Sequence, residues 1–136
     1  MPAEAEVKQA GGGELIFSMH SLHPSINSLY QIIYSQRRIE MKPEVRLWKS
    51  RAKGFIPTWR IEEGEELDLE FRMEGNWLYK NGKPKRMDVQ NLLKVVIDAL
   101  CEKWGVDDSR VREIRAVRVQ AEVERVLVTA KRGVWT

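Results

Sequence analysis

The sequence predicts a single α+β domain, a mixed β-sheet packed by two main helices. Three observations carry this expectation. Residues 66–73, ELDLEFRM, set Leu67, Leu69, Phe71 and Met73 in strict alternation with Glu66, Asp68, Glu70 and Arg72, the period of a half-buried strand. Residues 91–104 gather Leu92, Leu93, Val96, Ile97 and Leu100 on one side of a helical wheel and Asn91, Lys94, Asp98 and Glu102 on the other, the pattern of an amphipathic helix. Strand-like and helix-like segments also interleave along 136 residues, a length that builds one core rather than two.

The other elements follow in chain order. Residues 1–13 are polar, end in Gly11-Gly12-Gly13 and are expected to form a loose tail, leaving 14–136 as the folded domain. ELIFSMH, residues 14–20, reads as the first strand. Residues 21–34, SLHPSINSLYQIIY, mix turn formers with aromatics and predict an irregular loop. At Lys42-Pro43-Glu44 a helix starts, because proline suits the first helical position and glutamate favours the positive end of the helix dipole. It runs to about Lys53, where Gly54 and Pro57 stop it. After the strand at 66–73, Asn81-Gly82 marks a hairpin-type turn. Gly105 caps the second helix, and strands at about 111–119 and 123–131 complete the domain.

Hydrophobic residues make up 43% of the chain and charged residues 32%, which describes a globular protein with a strongly ionic surface. A net charge of +3 permits a polyanionic partner without demanding one, so the distribution of charge has to decide. The single cysteine, Cys101, excludes an internal disulfide and a multi-cysteine zinc site. No apolar run is long enough for a membrane-spanning helix, and MPAEAEVKQAGGG has no apolar signal core, so a cytoplasmic location is expected.

The chemistry concentrates between Lys80 and Asp108. Lys80, Lys83, Lys85 and Arg86 come first, Asp88 follows, the helix carries Asn91, Lys94 and Asp98, and Asp107-Asp108 stand just past Gly105. Both signs of charge side by side suit a metal-dependent nuclease site. Magnesium takes carboxylate oxygens and keeps its own waters, while a phosphodiester needs cations to bring it near those carboxylates. On this reading Asp88 and Asp108 hold Mg2+, Asp107 is an alternative ligand, and Lys94 steadies developing negative charge. The run from Lys80 to Arg86 grips the DNA backbone. Arg37 and Arg38, beside Tyr30 and Tyr34, are further candidates for DNA contact.

Each feature also has an ordinary explanation. Lys94 and Asp98 stand four apart and can form a surface ion pair. Asp107-Asp108 can cap a turn, and Asp88 can cap the helix. Glu66, Asp68 and Glu70 read as a solvated sheet face, and Trp48, Trp59, Trp77 and Trp104 as core or interface anchors. His20 and His23 are too few for a metal site of their own. Cys101 reads as a small apolar filler.

The strings KRMDVQNLLKVVIDAL and VDDSRV, with HPSINSLY and KPEVRLWKS upstream, resemble the signature segments of the RusA-type Holliday-junction resolvases. The resemblance is specific around residues 85–111 and loose elsewhere over 14–131. It implies a homodimer that binds four-way DNA junctions and cuts them with magnesium. It places Asp88 as the first acidic ligand, Asn91 beside the second, Lys94 as the catalytic lysine and Asp108 as the last acidic ligand. Gln90 departs from the pattern, standing where a second aspartate is expected. A neutral amide ligates magnesium more weakly than a carboxylate, so the departure bears on cutting more than on junction binding. The helix between Asp88 and Asp108 spans about 20 Å. The two carboxylates therefore meet only if the chain folds back or a twofold partner supplies one of them.

Overall fold

The alternation read at 66–73 becomes the spine of the structure, a computed structural model that describes residues 8–10, 13–20, 30–85 and 89–133. Strands β1 (Lys8–Ala10), β2 (Glu14–His20), β5 (Glu66–Gly75), β6 (Val111–Gln120) and β7 (Arg125–Gly133) form one five-stranded sheet in the order β1-β2-β7-β5-β6. β5 pairs antiparallel with β7 and parallel with β6, so the sheet is mixed. A parallel neighbour requires a crossover. Helix α2 (Val89–Trp104) makes it, and the crossover sets α2 beside β6.

Leu67, Leu69, Phe71 and Met73 face the core, as the alternation requires. They meet Leu15, Phe17 and Met19 of β2 and Val126, Val128 and Ala130 of β7, all buried. Helix α1 (Pro43–Lys53) contributes Val45, Trp48 and Ala52, and α2 contributes Leu92, Val95, Val96, Ala99 and Leu100. Leu93 and Ile97, which the wheel puts on the core side, are only partly buried. The four tryptophans expected as anchors are all buried. Trp104 donates its indole N–H to the Pro57 carbonyl at 2.9 Å and stands edge-on to Trp59, with centroids 5.3 Å apart. That contact pins the end of α2 under the loop after α1.

Gly105 ends α2 as expected. It takes φ 68°, and Val106 N–H reaches back to the Cys101 carbonyl at 3.0 Å, a Schellman closure that leads the chain to Asp107-Asp108. Gly54 stops α1 differently, with φ −66° and no left-handed cap.

Three expectations are corrected. Within the predicted tail, Lys8–Ala10 pairs antiparallel with β2, because an edge strand needs only backbone groups to pair. Within the predicted irregular loop, Tyr30–Ile33 is strand β3, paired with β4 (Arg38–Met41) through a tight turn at Tyr34–Gln36. The rest of that loop lies outside the described residues. Finally, the outer face of β5 is not simply solvated. Arg112 binds Asp68 with both arms of its guanidinium, at 2.9 and 2.5 Å, and Arg125 pairs with the buried Glu74.

Candidate functional site

Four residues apart along one helix is slightly more than one turn, so Gln90, Lys94 and Asp98 form a row on a single side of α2. β6 runs beside that row. Between them lies a cavity of about 350 Å³, lined by Gln90, Lys94, Asp98 and Asp108 around an apolar floor of Leu93, Ile97, Val111 and Ile114. The partial exposure of Leu93 and Ile97 is explained here, since they are walls of the cavity rather than centre of the core.

Asp108 reaches the cavity because the chain reverses at Gly105. Its neighbour Asp107 has another task. The Asp107 carboxylate accepts the Ser109 N–H at 2.8 Å and caps the short 3-10 turn Asp108–Arg110. That hydrogen bond holds its carboxyl below the ordinary value. Asp107 is not among the residues that line the cavity, and it fills the capping role that its position also allowed.

Asp98 is the residue that sequence reasoning undervalued. Burial pushes its carboxyl up, Lys49 and Lys94 pull it back down, and Glu102 and Asp108 push it up again. It is thus within electrostatic reach of Asp108 and in the same cavity. The available signal was the four-residue row from Gln90. Glu102, one turn further, belongs to the helix seam. It accepts a hydrogen bond from Lys49 at 2.7 Å and pairs with Lys53, which outweighs its own burial and lowers its carboxyl.

Asp88 and Arg86 lie outside the described residues. Asn91 is half-buried on α2 and does not line the cavity. Lys80 and Lys83 are exposed and Lys85 is half-buried, on a loop closed by hydrogen bonds from Tyr79 N–H to Lys83 O and from Lys85 N–H to Trp77 O, each 2.8 Å. Asn81-Gly82 makes the expected turn, with Gly82 at φ 82°. Arg37 and Arg38 are exposed on the separate β3–β4 hairpin, away from the cavity lining, and Arg38 pairs with Glu40.

The cavity presents oxygen donors, one amide and two carboxylates, of the kind a hard cation such as magnesium takes. Among the described residues, no group of three or more His, Cys, Asp or Glu is placed to hold a metal. The donor chemistry therefore fits a hard divalent cation held by few protein ligands and its own waters.

Residues 24–131 match the family described as endodeoxyribonuclease RusA. No curated protein shows a significant match. Members of that family act on branched DNA junctions and are generally dependent on a divalent metal. No helix among the described residues is long and apolar enough to cross a membrane. The matched span covers most of the chain, including the whole of the cavity, and the chain belongs to the RusA endodeoxyribonuclease family.

Proposed function

We propose that this protein is a structure-specific endonuclease that resolves four-way DNA junctions by magnesium-dependent phosphodiester hydrolysis in recombination and repair. The observation that carries the reading is the shared cavity, where a lysine, an amide and two carboxylates converge. Asp88 and Asp108 would hold the magnesium, with the Gln90 amide as a weaker oxygen donor. Bound magnesium would supply polarisation of the scissile phosphate and a more acidic water. Lys94 meets the negative charge that develops on the phosphate, a role that needs a cation held beside the reacting group. Lys80, Lys83, Lys85 and Arg86 hold the backbone, with Asn91, Arg37 and Arg38 as further contacts. A homodimer suits the substrate, because a four-way junction is itself nearly twofold. One buried, free cysteine fits a reducing compartment such as the cytoplasm.

The test is incubation of the pure protein with a synthetic four-way junction, with and without magnesium, resolved on native and denaturing gels. Paired nicks that require magnesium support the reading. A junction that is neither bound nor cut ends it.

Gln90 favours a second reading, a junction-binding protein with weakened cleavage. Its neutral side chain stands exposed in the cavity where the family pattern expects an aspartate. Binding without nicks, restored to nicking by Gln90→Asp, selects this second reading.

A further inference from the structure

Four arginines follow Asp108 closely in the chain, and three are occupied. Arg110 donates to the carbonyls of Glu65, at 3.0 and 2.6 Å, and Glu62, at 2.5 Å. Arg112 is bound to Asp68, and Arg115 pairs with Glu113 at 2.5 Å. Arg118 is exposed, and among the described residues no carboxylate pairs with it. Its guanidinium lies over the Trp77 ring, 5.6 Å from the centroid, a contact that holds the group in place without neutralising it.

Its position connects two parts of the site. Ile114, Ala116 and Arg118 pair in register with Leu69, Phe71 and Met73, whose side chains face the core, so they share the helix side of β6. Ile114 is part of the cavity floor. Arg118 stands four residues further along the strand, about 13 Å away. There it lines a cleft of about 290 Å³ with Trp77, Leu78, Pro84 and Gln120, under the basic loop. The loop is tied to β6 at this point. Gln120 Oε1 accepts the Trp77 N–H at 2.8 Å, and Gln120 Nε2 donates to Asn76 Oδ1 at 2.9 Å. The loop that carries Lys80, Lys83 and Lys85 is therefore anchored beside Arg118, on the same side of β6 as Ile114 of the cavity floor and about 13 Å along the strand from it. The partner this charge fits is a polyanion long enough to span that distance.

We infer that Arg118 is a phosphate-contact residue for the DNA strand that passes through the cavity, carrying that strand along the exposed edge of β6 to the basic loop. The inference rests on the proposed DNA-junction function. Free cationic charge on a fixed surface is what a backbone phosphate requires, and each phosphate contact releases counterions that make affinity salt-dependent.

The experiment measures affinity for a synthetic four-way junction, in EDTA, over a range of salt, for the parent, Arg118→Ala, Arg118→Lys and Arg115→Ala. Arg118→Ala should flatten the log–log salt slope by about 0.9, so that it loses about 3-fold less affinity than the parent over a fourfold rise in salt. Arg118→Lys keeps the charge and should keep the parental slope. Arg115→Ala should leave it unchanged, because that arginine is already paired. A parental slope in Arg118→Ala, or the same flattening in Arg115→Ala, overturns the inference while the junction reading stands. So does a shift in the sedimentation of Arg118→Ala with no change in slope, which makes the strand edge a protein contact. Failure of the parent to bind the junction overturns both.

Discussion

Gln90, in the first turn of α2, and Asp108, beyond the end of the same helix, line one cavity. A helix of this length would separate them if the chain ran straight on. The reversal at Gly105 and the parallel return along β5 bring them back to a common space within one chain. Cavity chemistry can therefore be tested residue by residue.

Lys94 lines the cavity from the middle of its row. Lys94→Ala should lower single-turnover junction cleavage by about 100-fold or more, as expected for removal of a group that stabilises developing charge. Junction affinity should change by only about 3-fold. Unaltered cleavage removes Lys94 from the chemistry, and an equal loss of binding makes it a grip residue instead.

Gln90→Asp adds a carboxylate to a cavity that already holds Asp98 and Asp108. Magnesium should half-saturate cleavage at a concentration about 10-fold lower, since a carboxylate binds the cation better than an amide. In EDTA the same variant should bind the junction slightly less well, because it adds negative charge near phosphate. A magnesium titration of both proteins checks the two effects together.

Asp98 has its carboxyl raised, chiefly by burial. A carboxyl raised on folding is easier to leave charged in the unfolded chain, so it detracts from stability above its folded pKa. That cost disappears once the pH falls below the unfolded value. Asp98→Asn should therefore melt at a higher temperature than the parent at neutral pH, with the gain shrinking as pH falls through the carboxylate range. A gain that is constant with pH would show that packing, not ionisation, is responsible.

Glu74 is buried and depends on Arg125, with Arg72 at 3.7 Å. Arg125→Ala removes one of the cations that face that carboxylate and should cost about 1.5 kcal/mol in urea unfolding, the range of a charge-assisted hydrogen bond rather than of a fully buried pair, because Arg125 is partly exposed and Arg72 remains. Adding Glu74→Gln should recover part of the loss. If the double variant is no more stable than the single one, the pair is not the cause.

Cys101 is buried, and burial with the nearby Asp108 and Asp98 pushes its thiol up to about 11. The thiolate is the reactive form, so iodoacetamide at neutral pH should modify native protein many times more slowly than urea-unfolded protein. Equal rates, followed by mass spectrometry, would contradict the burial.

Much of this protein was legible in one dimension. The strict alternation at Leu67–Met73 and the helical spacing from Leu92 to Leu100 report burial directly, because side-chain direction repeats with a fixed local period. Gly105 and Asn81-Gly82 announced their turns through backbone conformations that glycine adopts freely. The β3–β4 hairpin was missed because its strands are short, and the signal of pairing lies in a neighbour rather than in the segment. Asp98 was missed for a related reason. Its four-residue spacing from Lys94 fits a surface ion pair as well as a cavity wall, and only β6 lying alongside distinguishes them.

Local pattern was enough for the α+β class, the position of the main helices and strands, and the stretch in which the chemistry is concentrated. Periodicity and turn chemistry act between near neighbours. Which of those residues share a space follows instead from long-range packing. The parallel pairing of β5 with β6 joins segments more than forty residues apart, from Leu67 with Val111 onward. That pairing is what sets Asp108 in the cavity and leaves Arg118 exposed at the sheet edge. Such distant pairings depend on how whole surfaces bury one another, a quantity no short window of residues contains.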